Sequence, residues 1–242
     1  MNQDFYVGYL PKAPAALGKK VTRIAVALVI TACAISAVLI FDQAPYAASK
    51  FEYGVYRQYA GVIEQFPYPI LRTHDRSFLL VGSGKHGFSS PGDELRGKSI
   101  RLDGALIARG QDLMLEVRAG SVQQTAQVPL SKLSRVSLGT AQLRGEIVDS
   151  KCYLGVMNPG DGKVHRDCAV RCISGGAPPA FVARDAQGET RVLLLSGSDG
   201  RPLNEEVLSF VAEPIEITGE LVRYGSNLIL QADPVQFRRV SE

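Results

Sequence analysis

The amino-acid sequence predicts an all-β protein: an N-terminal transmembrane helix followed by two tandem OB-like small β-barrels, the second carrying a Cys/His-rich insertion. Three observations carry that expectation. A charge-free apolar run stands near the N-terminus, two later segments repeat one another, and one copy holds 30 extra positions rich in cysteine and turn residues.

The apolar run, "IAVALVITACAISAVLIF", extends from Ile24 to Phe41 and is bounded by Arg23 and Asp42. As a helix it would be about 27 Å long, close to the hydrocarbon thickness of a bilayer. No polar stripe breaks it, so a buried core helix fits poorly. Secretory signals have a shorter apolar core, of roughly 7–15 residues, which favours an uncleaved anchor. Cleavage stays open as an alternative, because "APYAAS" (Ala44 to Ser49) offers small residues to a peptidase. Ahead of the run stand Lys12, Lys19, Lys20 and Arg23 against the single acid Asp4. That asymmetry places the N-terminus in the cytoplasm and everything after Asp42 outside it, in the periplasm of a cell with two membranes. The expected location is thus the inner (cytoplasmic) membrane.

Charge supports the division. Residues 1–23 carry a net +3, whereas the remainder holds 23 basic residues (27 less 4) and 23 acidic ones (24 less 1). A neutral exported domain has no electrostatic footprint for nucleic acid, so that partner class is set aside.

Next comes the repeat. "RSFLLVGSGKHG" (Arg76 to Gly87) followed by "KSIRLDGALIARGQDLMLEV" (Lys98 to Val117) resembles "TRVLLLSGSDG" (Thr190 to Gly200) followed by "EPIEITGELVRYGSNLILQA" (Glu213 to Ala232). Gly104 and Gly110 match Gly219 and Gly225 at an offset of 115, and "QYAGVIEQ" (Gln58 to Gln65) matches "QLRGEIVD" (Gln142 to Asp149) at 84. Self-similarity of this kind means one supersecondary unit used twice. Its texture is that of strands: Ile100-Arg101-Leu102 and Ile215-Glu216-Ile217 alternate, and the glycines at 110 and 225 open hairpin turns. About five short strands in 80–100 residues fit a small barrel of OB-like type. The expected organisation is a tail over 1–23, the helix over 24–41, a first OB-like domain over 53–138 and a second over 140–242.

The copies differ between the matching glycine and the matching Leu-Leu strand. From Gly61 to Leu80 is 19 positions, and from Gly145 to Leu194 is 49. The excess falls at about 150–180 and is expected to project from the second barrel. It reads "CYLGVMNPGDGKVHRDCAVRCISGG" and holds three of the chain's four cysteines. Cys152, His165, Cys168 and Cys172 stand at C-x12-H-x2-C-x3-C, a Cys3His set of the type that binds zinc. The intervening Pro and Gly supply the turns that let such donors converge. Met157 would add a thioether and suit copper. Zinc and copper are the leading metals, with iron third. A disulfide is the competing reading; an odd count of exported cysteines leaves one thiol over and tips the balance toward metal. A redox-active thiol is the third reading.

Other motifs carry less. "GSGKHG" (Gly82 to Gly87) lacks the pattern of a phosphate loop and reads as a hairpin turn. His74 and His86 read as solvated, and Cys33 as packing inside the apolar run. A general acid or base for an enzyme would have to come from Asp149, Asp161 or Asp167, and no nucleophile arrangement accompanies them.

"CYLG", "HRDCAVRC" and "GGAPP" resemble the motif C-Y…H-x-x-C-A…C…G-x-P of uncharacterised bacterial exported proteins with a small β-barrel core. The resemblance spans about Gly145 to Val240. It implies export, a β-barrel and a motif that works as one unit, and it carries no activity. Together these readings point to a membrane-anchored periplasmic metal-binding protein: an accessory subunit, metal carrier or electron-transfer part of a larger membrane or periplasmic redox complex. Two alternatives stand beside it, a structural subunit with a disulfide-braced docking loop and a metal- or thiol-dependent enzyme.

Overall fold

A computed structural model describes residues 14–42, 49–89, 95–127, 129–130, 133–184 and 190–240. The chain divides into two units, residues 1–46 and 47–242. Among the described residues the first contains one helix, α1 (Ala15–Asp42), long and apolar enough to cross a membrane and without a buried residue. It starts nine residues before the expected Ile24, so Lys19, Lys20 and Arg23 are helical. Lysine and arginine are good helix formers whose stems lie along apolar surface, and Pro14 stands just ahead, where its fixed φ suits a helix start. Asp4 and Lys12, and most of the small-residue stretch at 44–49, lie outside the described residues.

Among the described residues the second unit has twelve strands: β1 (Ser49–Gln65), β2 (Pro69–Arg72), β3 (Ser77–Val81), β4 (Ser99–Arg109), β5 (Asp112–Val117), β6 (Gln123–Gln124), β7 (Arg135–Asp149), β8 (Pro179–Arg184), β9 (Thr190–Ser196), β10 (Ile215–Tyr224), β11 (Asn227–Gln231) and β12 (Arg238–Arg239). The first sheet runs β1-β2-β3-β5-β4 and closes by β1–β4 pairing; the second runs β7-β8-β9-β11-β10 and closes by β7–β10. These are two five-stranded barrels in tandem, each with one short extra strand hydrogen-bonded to its fourth.

The duplication holds at the level of register. Leu79 faces Met114 in the parallel β3–β5 pair, and Leu194 faces Ile229 in β9–β11. Gly61 faces Ile100, and Gly145 faces Ile215. The two glycines also do the same physical job. A Cβ on Gly61 would lie 2.2 Å from the Arg72 carbonyl oxygen, and one on Gly145 would lie 2.0 Å from that of Val182. In each barrel this is where the long first strand crosses tightly under the second, a site only glycine can occupy.

Runs such as Phe78-Leu79-Leu80-Val81 are apolar at every position because both faces are covered. Phe78 and Leu80 point into the first barrel with Ile63, Leu71, Ile100 and Leu115. Leu79 and Val81 face outward, into a cluster shared with Val182, Leu194, Tyr224 and Ile229 of the second barrel. Odd and even positions thus serve different cores, and the barrels pack as one compact unit. Tyr68 locks the junction: its hydroxyl donates toward the Leu195 and Leu203 carbonyls, at 2.8 and 2.9 Å, and accepts from the Leu203 N–H at 3.0 Å.

Between β1 and β2 lie three residues; between β7 and β8 lie 29, from Ser150 to Pro178. This is the insertion, and it does not project from the second barrel. It is wedged against the first, with Tyr153 and Leu154 in the shared cluster and Arg109 stacked over the Tyr153 ring at 3.9 Å. An insertion this apolar at its start gains more by covering the outer wall of the first barrel than by facing water.

Candidate metal centre

The insertion's first turn follows β7 directly. Asp149, the last residue of the strand, is fully buried, and its Oδ1 accepts the Cys152 backbone N–H at 2.8 Å. That bond fixes a single widened turn over Cys152–Val156 and points the Cys152 side chain inward. A loop containing Pro159 and Gly160 folds back over Cys152, and a 3₁₀ turn (Lys163–His165) leads into a nine-residue helix, α2 (Arg166–Ser174). Cys168 and Cys172 are four apart on α2, so their side chains emerge one above the other on one helical face.

The three cysteines converge. Their sulfurs lie within 4.8 Å of one another, with Cys152 and Cys172 buried and Cys168 half-buried. A second group shares Cys152: donor atoms of Asp149, Cys152 and His165 also lie within 4.8 Å of one another, and all three residues are buried. His165 Nε2 sits 3.2 Å from Asp149 Oδ2. The four residues singled out by spacing thus form two overlapping groups around Cys152, joined by Asp149. Of the three nearby carboxylates only Asp149 belongs to the cluster; Asp161 pairs with Arg184 at 3.3 Å and Asp167 is exposed. Met157 lies 45% exposed beyond the first turn, and His74 and His86 are exposed. All four cysteines are free thiols.

The donor set fits a metal ion. Around a tetrahedral zinc with sulfurs at about 2.3 Å, the sulfurs stand about 3.8 Å apart, so the thiols need close up by no more than about 1 Å. A buried imidazole hydrogen-bonded to a buried carboxylate is the pairing that orients histidine at metal centres. Soft thiolates with an imidazole suit zinc or copper, whereas magnesium and calcium prefer oxygen.

The first barrel contributes a part that spacing alone did not reveal. Its "GSGKHG" turn, read as a hairpin turn, is one, with the Gly82 N–H donating to the His86 carbonyl at 3.0 Å. It also closes over the sulfurs: Lys85 Nζ lies 2.8 Å from Cys168 Sγ and 4.0 Å from Cys172 Sγ. The turn is pinned to the far end of α2 by a hydrogen bond from the Gly87 N–H to the Gly175 carbonyl, at 2.9 Å. A Cβ on Gly175 would strike the Lys85 carbonyl oxygen at 2.0 Å, so the two segments could not meet with larger residues. From the other side Lys151, 2% exposed, reaches Gly82 O at 2.8 Å, Gly84 O at 2.6 Å and Glu116 Oε2 at 2.5 Å.

The electrostatics follow from this packing. The hydrogen bond shared by Cys152 and Cys172 pushes the Cys152 thiol well up, aided by burial and by Asp149, and holds Cys172 below the usual thiol range, with the Lys85 ammonium helping. Contact with Cys168 in turn raises Lys85, against the cost of its slight desolvation. In the metal-free cluster the closeness of Cys152 and Cys172 thus drives the two thiols in opposite directions, beside the Lys85 ammonium. A metal ion held by these sulfurs would displace their protons and repel the ammonium.

Comparison with protein-family profiles, with curated proteins and with solved structures finds no match to this chain.

Proposed function

We propose that this protein is a membrane-anchored metal-binding protein of the cell envelope. On this reading α1 holds it in the cytoplasmic membrane and the double barrel presents a Cys3His site in the periplasm, serving a larger membrane or periplasmic redox complex as accessory, metal-carrier or electron-transfer component. The convergence of three thiols beside a buried His165–Asp149 pair carries the proposal. The half-buried Cys168 supports exchange or handover of the ion, because one ligand stays within reach of a partner while two are sealed in. The basic flank of the apolar helix supports the orientation. The likeness of "CYLG…HRDCAVRC…GGAPP" to a motif of bacterial exported proteins supports the location.

The test is elemental analysis of the full chain, purified from membranes without a histidine tag, alongside His165→Ala. That substitution leaves every cysteine in place. The expected result is close to one equivalent of zinc or copper in the parent and a loss of at least about 10-fold in affinity in the variant, the scale of one removed ligand or its orienting partner. A parent that carries no metal after reconstitution with either ion refutes the proposal. So does a variant that retains metal as tightly as the parent, since His165 would then be no ligand.

A further inference from the structure

A cavity of about 390 Å³ opens where the insertion meets the second barrel. Its walls come from three places: Arg144 and Glu146 of β7, Lys163 of the insertion with Arg184 at the end of β8, and the apolar group Ala212, Pro214 and Val240. The first barrel has no counterpart to Lys163, because the corresponding connection there is only three residues long. The cavity is a product of the insertion, as the metal centre is, but it shares none of the metal-centre residues.

Its apolar wall is held in an unusual backbone shape. Ala212 has φ of 58°, the single non-glycine residue with positive φ among the described residues. A left-handed alanine costs about 1–2 kcal/mol and persists only where its surroundings enforce it. Here they do: the Ala212 N–H donates to the Ile147 carbonyl at 3.0 Å, and Arg166 of α2 pairs with Glu213 at 2.6 Å. The insertion helix thus clamps the turn that shapes the cavity.

The charges decide what it takes. Glu146 is already engaged: its Oε2 accepts the Gly162 N–H at 2.9 Å and its Oε1 lies 3.7 Å from Arg184. Arg184 also contacts Asp161 at 3.3 Å, and Arg144 shares Glu216 with Arg238, at 3.1 and 2.5 Å, so three arginines stand against the three acids Glu146, Asp161 and Glu216. Lys163, exposed at the rim, has no ion-pair partner among the described residues. One positive charge is therefore left over beside an apolar wall, in a cavity at the small end of the roughly 300–1,000 Å³ of ligand pockets. We propose that this cavity binds a small organic anion, a carboxylate with a short apolar tail, its charge on Lys163 and its tail against Ala212, Pro214 and Val240. The inference is independent of the metal reading.

Methyl NMR of the full chain in lipid nanodiscs, labelled at alanine and valine, tests it with hexanoate as probe. Saturable shifts are expected at Ala212 and Val240, with the methyls of the first barrel unmoved. Hexanamide, equal in shape but uncharged, and the variant Lys163→Gln should each weaken binding by at least about 10-fold, the scale of one lost charge-assisted hydrogen bond. Equal binding of hexanamide, tighter binding of hexylamine, an unchanged affinity in Lys163→Gln, or shifts spread over both barrels would each overturn the proposal.

Discussion

Cys152→Ser is expected to cost more than about 100-fold in metal affinity, and more than Cys168→Ser or Asp149→Asn. Cys152 is the one residue present in both donor groups, and its sulfur lies within 4.8 Å of the other two thiols and of the His165–Asp149 donors. Structural zinc sites gain roughly 10–16 kcal/mol from about four ligands, so one thiolate is worth about 3 kcal/mol, or about two decades in affinity. Asp149→Asn tests the joint between the groups. The amide oxygen can still accept the Cys152 N–H, but the –NH2 group cannot accept a proton from His165 as the carboxylate does. An orienting carboxylate of this kind is worth about 10- to 100-fold, so this variant should fall between the parent and Cys152→Ser. Affinity should also drop on acidification, because the thiols must shed protons to bind, and the Cys172 neighbour and burial make the Cys152 proton harder than usual to displace. Competition titration against a chromophoric chelator measures all three. An Asp149→Asn variant indistinguishable from the parent would detach His165 from the site and leave a three-thiol centre.

Much of this was legible in the sequence, for identifiable reasons. Gly61 and Gly145 recur because the same strand crossing needs the same absent side chain, and Gly110 and Gly225 recur because both begin the same turn between equivalent strands. Alternation such as Ile100-Arg101-Leu102 reads as strand, whereas the unbroken apolar run Phe78–Val81 owes its continuity to a second core between the barrels, a tertiary fact that no periodicity encodes. Cysteine and histidine spacing likewise named residues that meet. It could not show that Asp149 bridges them, because a carboxylate at the end of a strand is common and only burial distinguishes this one. Lys85 was out of reach for a different cause. It approaches Cys168 across 83 positions, from a turn whose local chemistry is fully explained as a turn. The facing glycines Gly87 and Gly175 were the available trace, and their meaning depends on knowing that the two turns touch. Projection of the insertion failed for the same reason, since nothing in its own residues reports the neighbouring barrel.

Lys151→Met is expected to destabilise the double barrel by about 3–5 kcal/mol, the usual result of removing one partner from a buried ion pair. Lys151 and Glu116 are 2% and 6% exposed, and the ammonium also satisfies the Gly82 and Gly84 carbonyls. The variant would leave the Glu116 carboxylate sealed between the barrels with its cation gone, at 7% side-chain exposure. Adding Glu116→Leu should recover most of the loss, because a buried pair replaced by apolar groups of similar volume is often neutral. Urea unfolding of the full chain in detergent measures both. The double variant separates stability from function. It restores the core but removes the ammonium from the Gly82 and Gly84 carbonyls, leaving the turn that carries Lys85 to Cys168 held only by its Gly87–Gly175 contact. Metal-free protein of the double variant should therefore show faster alkylation of Cys168 by iodoacetamide than the parent, at near-parental stability. A single Lys151→Met costing less than about 1 kcal/mol, or a double variant whose Cys168 reacts at the parental rate, would mean that the turn is positioned by the Gly87–Gly175 contact alone and that the buried lysine plays no part in ordering the site.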